Sequence, residues 1–410
     1  MKTMKRKMKN LMVLALLITG TTCAIAQVPA DTIKPAPKEE KKKHWFETVS
    51  FGGYTQVRYN RLLETNEDLK CDQCDKSWGK DQGIFIRRGR LKFSGDVHPR
   101  VYFYIQTDIA ASASSTGLHF LQIRDAYVDL GLDKEKTFKA RIGQSKVPFG
   151  FENMQSSQSR IAFDRSDPIN SATPNERDLG VFLYWTPTNI KERFSHLQKS
   201  GLKGTGDYGV VGFGVYNGQT ANRPELNDEL HSVVKLSYPF DINGQFVEAG
   251  LHAFNGRYVL PADLRTTGVK GNDEFDDQRI GAALIVYPQP IGFQAEYNVG
   301  RGPEYVSASD SIATKELQGG YAMIMYRFKV KEQVFIPYVR SQMYNGGKKH
   351  ETDARYYEVL EHELGIEWEL NKYFEFTTAY AISDRRFEDS KKPDNRQKGN
   401  LLRLQVQFSY

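Results

Sequence analysis

The last ten residues, Leu401 to Tyr410, read LLRLQVQFSY and most narrowly limit what this chain can fold into. At a period of two, Leu402, Leu404, Val406, Phe408 and Tyr410 share one face, and Arg403, Gln405, Gln407 and Ser409 share the other. Such a strand can turn one side to hydrocarbon and the other to water. It ends on an aromatic side chain with no residue left for a cap or tail, which suits a strand that closes a sheet on itself. Every earlier segment must then pair around to it.

Mean hydropathy is −0.55, and no apolar run reaches the roughly 18 residues of a transmembrane helix. A short apolar run, Leu11 to Ile18, follows Lys2, Lys5, Arg6, Lys7 and Lys9 and precedes the small-residue site Ala24-Ile25-Ala26. This is the pattern of a secretory signal peptide over residues 1–26. The run is too short for a membrane anchor, and Gly20 and Thr22 fit a lipidation site at Cys23 poorly. Of the 56 Lys and Arg, five leave with the signal, and none of the 50 Asp and Glu does, so the mature chain carries 51 bases against 50 acids. The apparent basicity belongs to export, and net charge gives no support to a nucleic-acid partner.

The two cysteines that remain, Cys71 and Cys74, form Cys-Asp-Gln-Cys. In an exported chain an even pair points to a small disulfide loop. A metal site would need further ligands from elsewhere, and a thioredoxin-like site a βαβ setting that the sequence lacks. Residues 27–49 include the Pro- and Lys-rich VPADTIKPAPKEEKKK and read as a disordered periplasmic tether whose Lys41, Lys42 and Lys43 are solvated.

From Phe51 the chain breaks into segments of about ten residues, rich in Tyr, Phe, Val and Ile and separated by Gly, Asp, Asn and Pro. About sixteen strands are expected, starting near residues 51, 84, 101, 120, 138, 178, 208, 231, 246, 278, 292, 317, 334, 359, 373 and 400. Connections alternate: tight at 96–99, 133–136, 241–244, 288–290 and 371–372, and long before Gly83, at 111–119, 255–276 and 384–399. Long outer loops and short periplasmic turns define a transmembrane antiparallel β-barrel over residues 50–410. No fixed repeat marks a solenoid or propeller, and Trp368, Phe374, Phe408 and Tyr410 suit an interfacial aromatic girdle better than a soluble sandwich. Residues 186–206 break the alternation: a periplasmic turn there is long and holds the helix-like NIKERFSHLQK, read as a surface excursion.

Side-chain parity gives candidate pore residues. In the second strand Arg88, Arg90 and Lys92 share a face with Ile84 and Ile86; a lipid-facing cation at mid-membrane costs about 2–4 kcal/mol, so these three point into the lumen. Arg87 then faces outward, near the rim where lipid head groups can pair with it. In the fifth strand Lys139 and Arg141 point inward, with Asp125, Tyr127 and Asp129 of the fourth between the two basic rows. After the fifth strand, residues 143–178 are too long for a turn and contain Lys146, Arg160, Arg165 and Arg177, so this segment narrows the channel or covers it.

The Arg88-Gly89-Arg90 strand, the LQIRDAYVDL strand and above all Arg141-Ile142-Gly143-Gln144-Ser145-Lys146-Val147-Pro148-Phe149-Gly150-Phe151-Glu152, followed by Ser156-Ser157 and Phe163-Asp164-Arg165-Ser166, are similar to the family of phosphate-selective porins O and P. The resemblance covers residues 51–410, with its specific motifs in the first half. It implies a sixteen-stranded, trimeric outer-membrane channel whose third outer loop folds into the pore, where basic side chains bind and pass anions. By motif position, Lys146, Arg160 and Arg165 carry over to that loop and Arg88, Arg90 and Arg141 to the wall.

One departure from the family is plain. The fourteenth strand turns Glu361, Glu363, Glu367 and Glu369 to one face and Leu360, His362, Leu364, Ile366, Trp368 and Leu370 to the other, which sets an acidic wall opposite the basic one. Such a pore admits polar solutes broadly. The sequence thus points to passive diffusion of small anions, phosphate or polyphosphate among them, with a general or carbohydrate-type porin and a plugged barrel serving as adhesin or scaffold as alternatives. Expected partners are outer-membrane lipid and lipopolysaccharide, the assembly machinery through the last strand, and two further copies. No Gly-x-Ser-x-Gly, His-Glu-x-x-His or phosphate-loop motif is present, and no catalytic residue, cofactor or metal is expected.

Overall fold

The computed structural model describes residues 44–62, 83–111, 119–175 and 177–410. The signal segment, most of the tether, and Cys71 and Cys74 lie outside the described residues.

Sixteen antiparallel strands form one closed sheet. They are β1 (Ser50–Leu62), β2 (Gly83–His98), β3 (Val101–Ala111), β4 (His119–Gly131), β5 (Phe138–Lys146), β6 (Arg177–Trp185), β7 (Val211–Tyr216) and β8 (His231–Ile242). Then come β9 (Gln245–Val259), β10 (Glu274–Val286), β11 (Ile291–Val306), β12 (Ser311–Tyr326), β13 (Gln333–Gly347), β14 (Tyr356–Asn371), β15 (Phe374–Asp389) and β16 (Lys392–Ser409). Phe328–Val330 prolongs β12 along β13. β16 pairs with β1 from Tyr54 opposite Ser409 to Leu62 opposite Leu401, and the Tyr410 and Gly53 backbones exchange hydrogen bonds of 2.8 and 3.0 Å, so the terminal strand closes the ring.

Burial follows the alternation and is inverted relative to a soluble protein. Ile84, Leu121, Ile280, Ile324 and Leu364 are exposed on the outside, whereas Arg58, Arg385 and Arg403 are among the most buried side chains. Aromatic side chains collect where the short turns lie: Phe51 with Phe93, Phe138 with Trp185, Phe335 with Trp368, and Phe408 with Tyr410 pack at 5.1–6.3 Å. That is a membrane-interface girdle, and it marks the periplasmic end.

Two β-bulges set what the inner wall displays. Across β1, Gln56 faces Arg88 but Val57 faces Ile86, so Arg87 is an inserted residue. Across β3, Gln106 faces Asp125 but Thr107 faces Ile123, so Arg124 is inserted. Each bulge resolves a conflict of parity. Without the first, Ile84 and Ile86 would share the watery face with Arg88 and Arg90; without the second, Leu121 and Ile123 would share it with Asp125 and Asp129. The expectation that Arg87 faces outward is therefore overturned. The bulge swings it into the lumen and turns Ile84 to the outside.

Among the described residues, three connections fold inward. From Val147 to Pro174 no residue is exposed, although the segment has only two short helices, α1 (Phe151–Met154) and α2 (Asp167–Ala172). The outer loop of residues 348–355 follows it in through Lys348, which contacts Asp167, and Lys349, which contacts Asp277. The third is residues 186–210, where α3 (Thr188–Lys199) buries Ile190, Phe194 and Leu197. A surface excursion was expected there, but the i, i+4, i+7 apolar stripe needs a partner and finds it inside. The expected long loop at 384–399 is also absent, because β15 and β16 extend beyond the membrane and leave only residues 390–391 between them. Trp45–Thr48 forms a 3-10 turn whose Thr48 hydroxyl donates to the Asp96 carbonyl at 2.8 Å.

Candidate functional site

The inner wall of β1, β2 and β4 and the folded-in residues 147–174 enclose a basic shelf. Its hub is Asp164, carried by the loop. Arg58 donates to its carboxylate at 3.0 Å, Arg87 lies at 3.5 Å, Arg88 at 3.9 Å, and Arg403 of β16 touches it. The guanidiniums of Arg58 and Arg403 lie 4.9 and 4.8 Å from the centroid of the Phe163 ring, cation–π contacts that add to the hold on the loop tip. Burial acts to raise the Asp164 pKa, but the Arg58, Arg403, Arg87 and Arg88 charges outweigh it and hold the carboxyl well below the usual carboxylate range.

Next to this hub Arg90 donates to Asp108 at 3.2 Å, and Arg124 lies 3.9 Å from the same carboxylate. Among the described residues, Arg58, Arg87, Arg88, Arg90 and Arg124 thus gather around Asp108 and Asp164. Arg403 reaches a third acid, Glu363, at 3.6 Å. Lys92 continues the row toward the periplasm and donates to Gln158 at 3.2 Å. Arg87 is the most open of the row around Asp164, with 18% of its side chain exposed against 8% for Arg88.

The other sequence-chosen cations sit differently. Arg141 donates to Asp129 at 2.7 and 2.8 Å and lies 3.9 Å over the Tyr127 ring, with Lys139 between Asp129 at 3.9 Å and Asp207 at 3.5 Å. Arg177 makes a two-pronged contact with Asp125 at 3.0–3.2 Å. Lys146 donates to the carbonyls of Asn153, Met154 and Gln155 at 2.5–3.1 Å, which collects the open end of α1. Arg165 donates to Asn153, Asn170 and Thr173, and the buried Arg160 lies 3.4 Å from the Glu152 carbonyl. These loop cations hold the loop's own backbone. Its acids hold it to the wall: Glu152 to Arg340 at 2.7 Å, Asp164 to the hub, and Asp167 to Arg385 at 2.9 Å and to Lys348.

Parity placed the acidic stripe of β14 correctly inside, yet it does not stand open. Glu361 meets Arg385 at 2.9 Å, Glu363 accepts from Tyr338 at 2.7 Å, and Glu367 and Glu369 hold Lys203 at 2.5 and 2.7 Å. Lys203 comes from the connection after α3. Burial acts to lower its pKa, but Glu367, Glu375 and Glu369 outweigh this and keep the ammonium well above the usual lysine range. From the sequence, Arg58, Arg124, Arg340 and Arg385 go unnamed, Arg403 is placed only on the polar face of the last strand, and Arg87 is expected to face outward. The alternation marks Arg58, Arg340, Arg385 and Arg403 as inward, whereas Arg87 and Arg124 become visible only once the parity conflicts are noticed.

A sequence profile described as phosphate-selective porin O and P matches residues 65–410. No curated protein matches the chain. Among solved structures, the outer membrane channel DcaP of Acinetobacter baumannii superposes with a TM-score of 0.55 at 13% identity, covering 88% of this chain and 97% of that one. OmpF of Salmonella typhi, in complex with daunomycin, gives 0.56 at 10% identity over 88% and 97%. OmpT of Vibrio cholerae gives 0.51 at 10% identity over 91% and 100%. These likenesses carry the barrel fold, and the profile match carries the family. The chain belongs to the phosphate-selective porin O and P family and is an outer-membrane channel.

Proposed function

We propose that this porin passes small anions, with phosphate-type oxyanions bound in transit on the shelf formed by Arg58, Arg87, Arg88, Arg90 and Arg124. The observation that carries this reading is the gathering of five guanidinium groups on one stretch of the inner wall, around Asp164 and Asp108. An anion entering a narrow, low-dielectric passage loses water, and guanidinium forks replace it; a row of weak sites lets it move on. Arg87 contributes the most accessible fork. The acids of β14 are compatible with this reading, because Glu361 pairs with Arg385, Glu363 with Arg403, and Glu367 and Glu369 with Lys203.

The functional protein is read as a homotrimer delivered by the signal peptide of residues 1–26, with Cys71 bonded to Cys74 in the first outer loop. The test is the chloride current of the full-length mature protein in a planar bilayer as inorganic phosphate is added. Block at concentrations far below that of chloride is expected, weakened in the Arg87→Glu variant. Equal currents with and without phosphate would remove the oxyanion site.

A further inference from the structure

The connection between β6 and β7 lies across the periplasmic mouth. Lys191 at its start donates to the Glu135 carbonyl of the β4–β5 turn at 2.9 Å, and Arg193 donates to the Pro239 carbonyl of β8 at 2.5 Å. Phe194 and Leu197 pack with Ile285 and Tyr287 at the end of β10. Lys203 then reaches β14 and β15, six strands round the ring of sixteen from the β4–β5 turn by the shorter way. A surface excursion would touch one or two neighbouring strands; this one touches the rim on both sides.

The chain is built to deliver Lys203 to that place. Gly201 has φ +72, and Leu202 and Gly201 donate to the carbonyls of Leu197 and Gln198, each at 3.2 Å, a helix stop that turns the chain sharply inward. Lys203 itself is held at φ +66, a conformation that a residue with a side chain adopts only under constraint. Its carbonyl accepts from Gln155 at 2.7 Å, and Phe151 of the outer loop packs in the same apolar cluster as α3. The outer constriction and the periplasmic segment therefore meet inside the barrel.

We propose that residues 186–206 form a gate across the periplasmic mouth, latched shut by Lys203 docked on Glu367, Glu369 and Glu375. The idea rests on the channel reading above. With the latch closed the lumen is bridged at this end; with Lys203 released, the segment swings toward the periplasm and leaves an acid-lined, wider exit. Since Gln155 ties the latch to the outer loop, movement at one constriction is felt at the other.

The test is single-channel conductance of the full-length mature protein in planar bilayers, with heat-dependent gel mobility confirming a folded barrel. Lys203→Glu is expected to raise conductance at least about twofold, and adding Glu369→Lys to that variant to bring it back toward the wild-type value. A second design carries Lys203→Cys and Glu369→Cys on a background in which Cys71 and Cys74 are serine. Joined by a bis-methanethiosulfonate cross-linker, which forms a disulfide to each cysteine with loss of sulfinate, it should conduct poorly, and the current should rise on reduction. Wild-type current from Lys203→Glu, or equal currents from the linked and reduced forms, overturns the gate and leaves the channel reading intact. Folded barrels that carry no current in any form overturn both.

Discussion

Arg87 shows how a single inserted residue changes the chemistry of a wall. An unbroken strand would place it against lipid; the bulge instead puts its guanidinium 3.5 Å from Asp164. Replacing it by Glu removes one positive charge and adds a negative one at the most open point of the shelf. In a tenfold salt gradient, where an ideally selective pore reads about 59 mV, the Arg87→Glu reversal potential should move toward the cation limit by a substantial part of that span. The same change at Lys331, in the periplasmic turn after β12, should leave it unmoved. Equal shifts from both would mean that the shelf does not set selectivity. Lys146 makes the contrast: charge-assisted hydrogen bonds contribute about 1.5–3 kcal/mol each, so Lys146→Met should loosen the loop and add current noise without reversing selectivity. Residue types alone could not separate these two basic side chains, since both stand in motifs rich in Arg, Lys and Gly. What separates them is whether a backbone with unmet carbonyls lies within reach, and that is a matter of tertiary geometry.

At the scale of elements, the folded-in loop is held by its acids. Asp164 keeps four arginines together, and Asn in its place leaves them mutually repelling. Asp164→Asn should release the loop tip, with the sites around Arg160 and Arg165 cut by trypsin on whole cells while the wild type resists. Resistance equal to wild type would show that the apolar contacts of Ile161, Ala162 and Phe163 suffice. The sign of the pH dependence follows from the depressed Asp164 pKa. Its contribution is fully present above the unfolded value near 3.9 and is lost only as pH falls through the lower folded value, so the loop should stay docked at about pH 4.

Strand parity read β5, β14 and β16 correctly, because one face of each meets lipid and the other water. It failed at the two bulges, where local alternation is deliberately broken. It also failed at α3, whose inward folding depends on partners far away in sequence such as Glu367 for Lys203, and at residues 384–399, where the two strands extend by pairing with each other, Phe387 opposite Asn395.

For the whole molecule, closure is the step on which everything else depends. Each strand but the last pairs with its successor; β16 must find β1 across more than three hundred residues of chain, and a failure leaves two open edges. Tyr410 secures that seam through backbone bonds to Gly53 and a hydroxyl contact with the Arg90 carbonyl at 3.3 Å. Its deletion should lower the amount of heat-modifiable barrel in the outer membrane, and unchanged amounts would show that the seam does not need it. Once closed, the barrel gathers Arg58 of β1 and Arg87, Arg88 and Arg90 of β2 on one stretch of its lumen, and the proposed anion preference rests on that cluster. The most direct measurement is the zero-current potential of the wild-type protein in a planar bilayer under a potassium chloride gradient. A potential of the sign set by chloride, growing smaller when phosphate occupies the shelf, is the predicted result; a potential of zero or of the sign set by potassium contradicts the account.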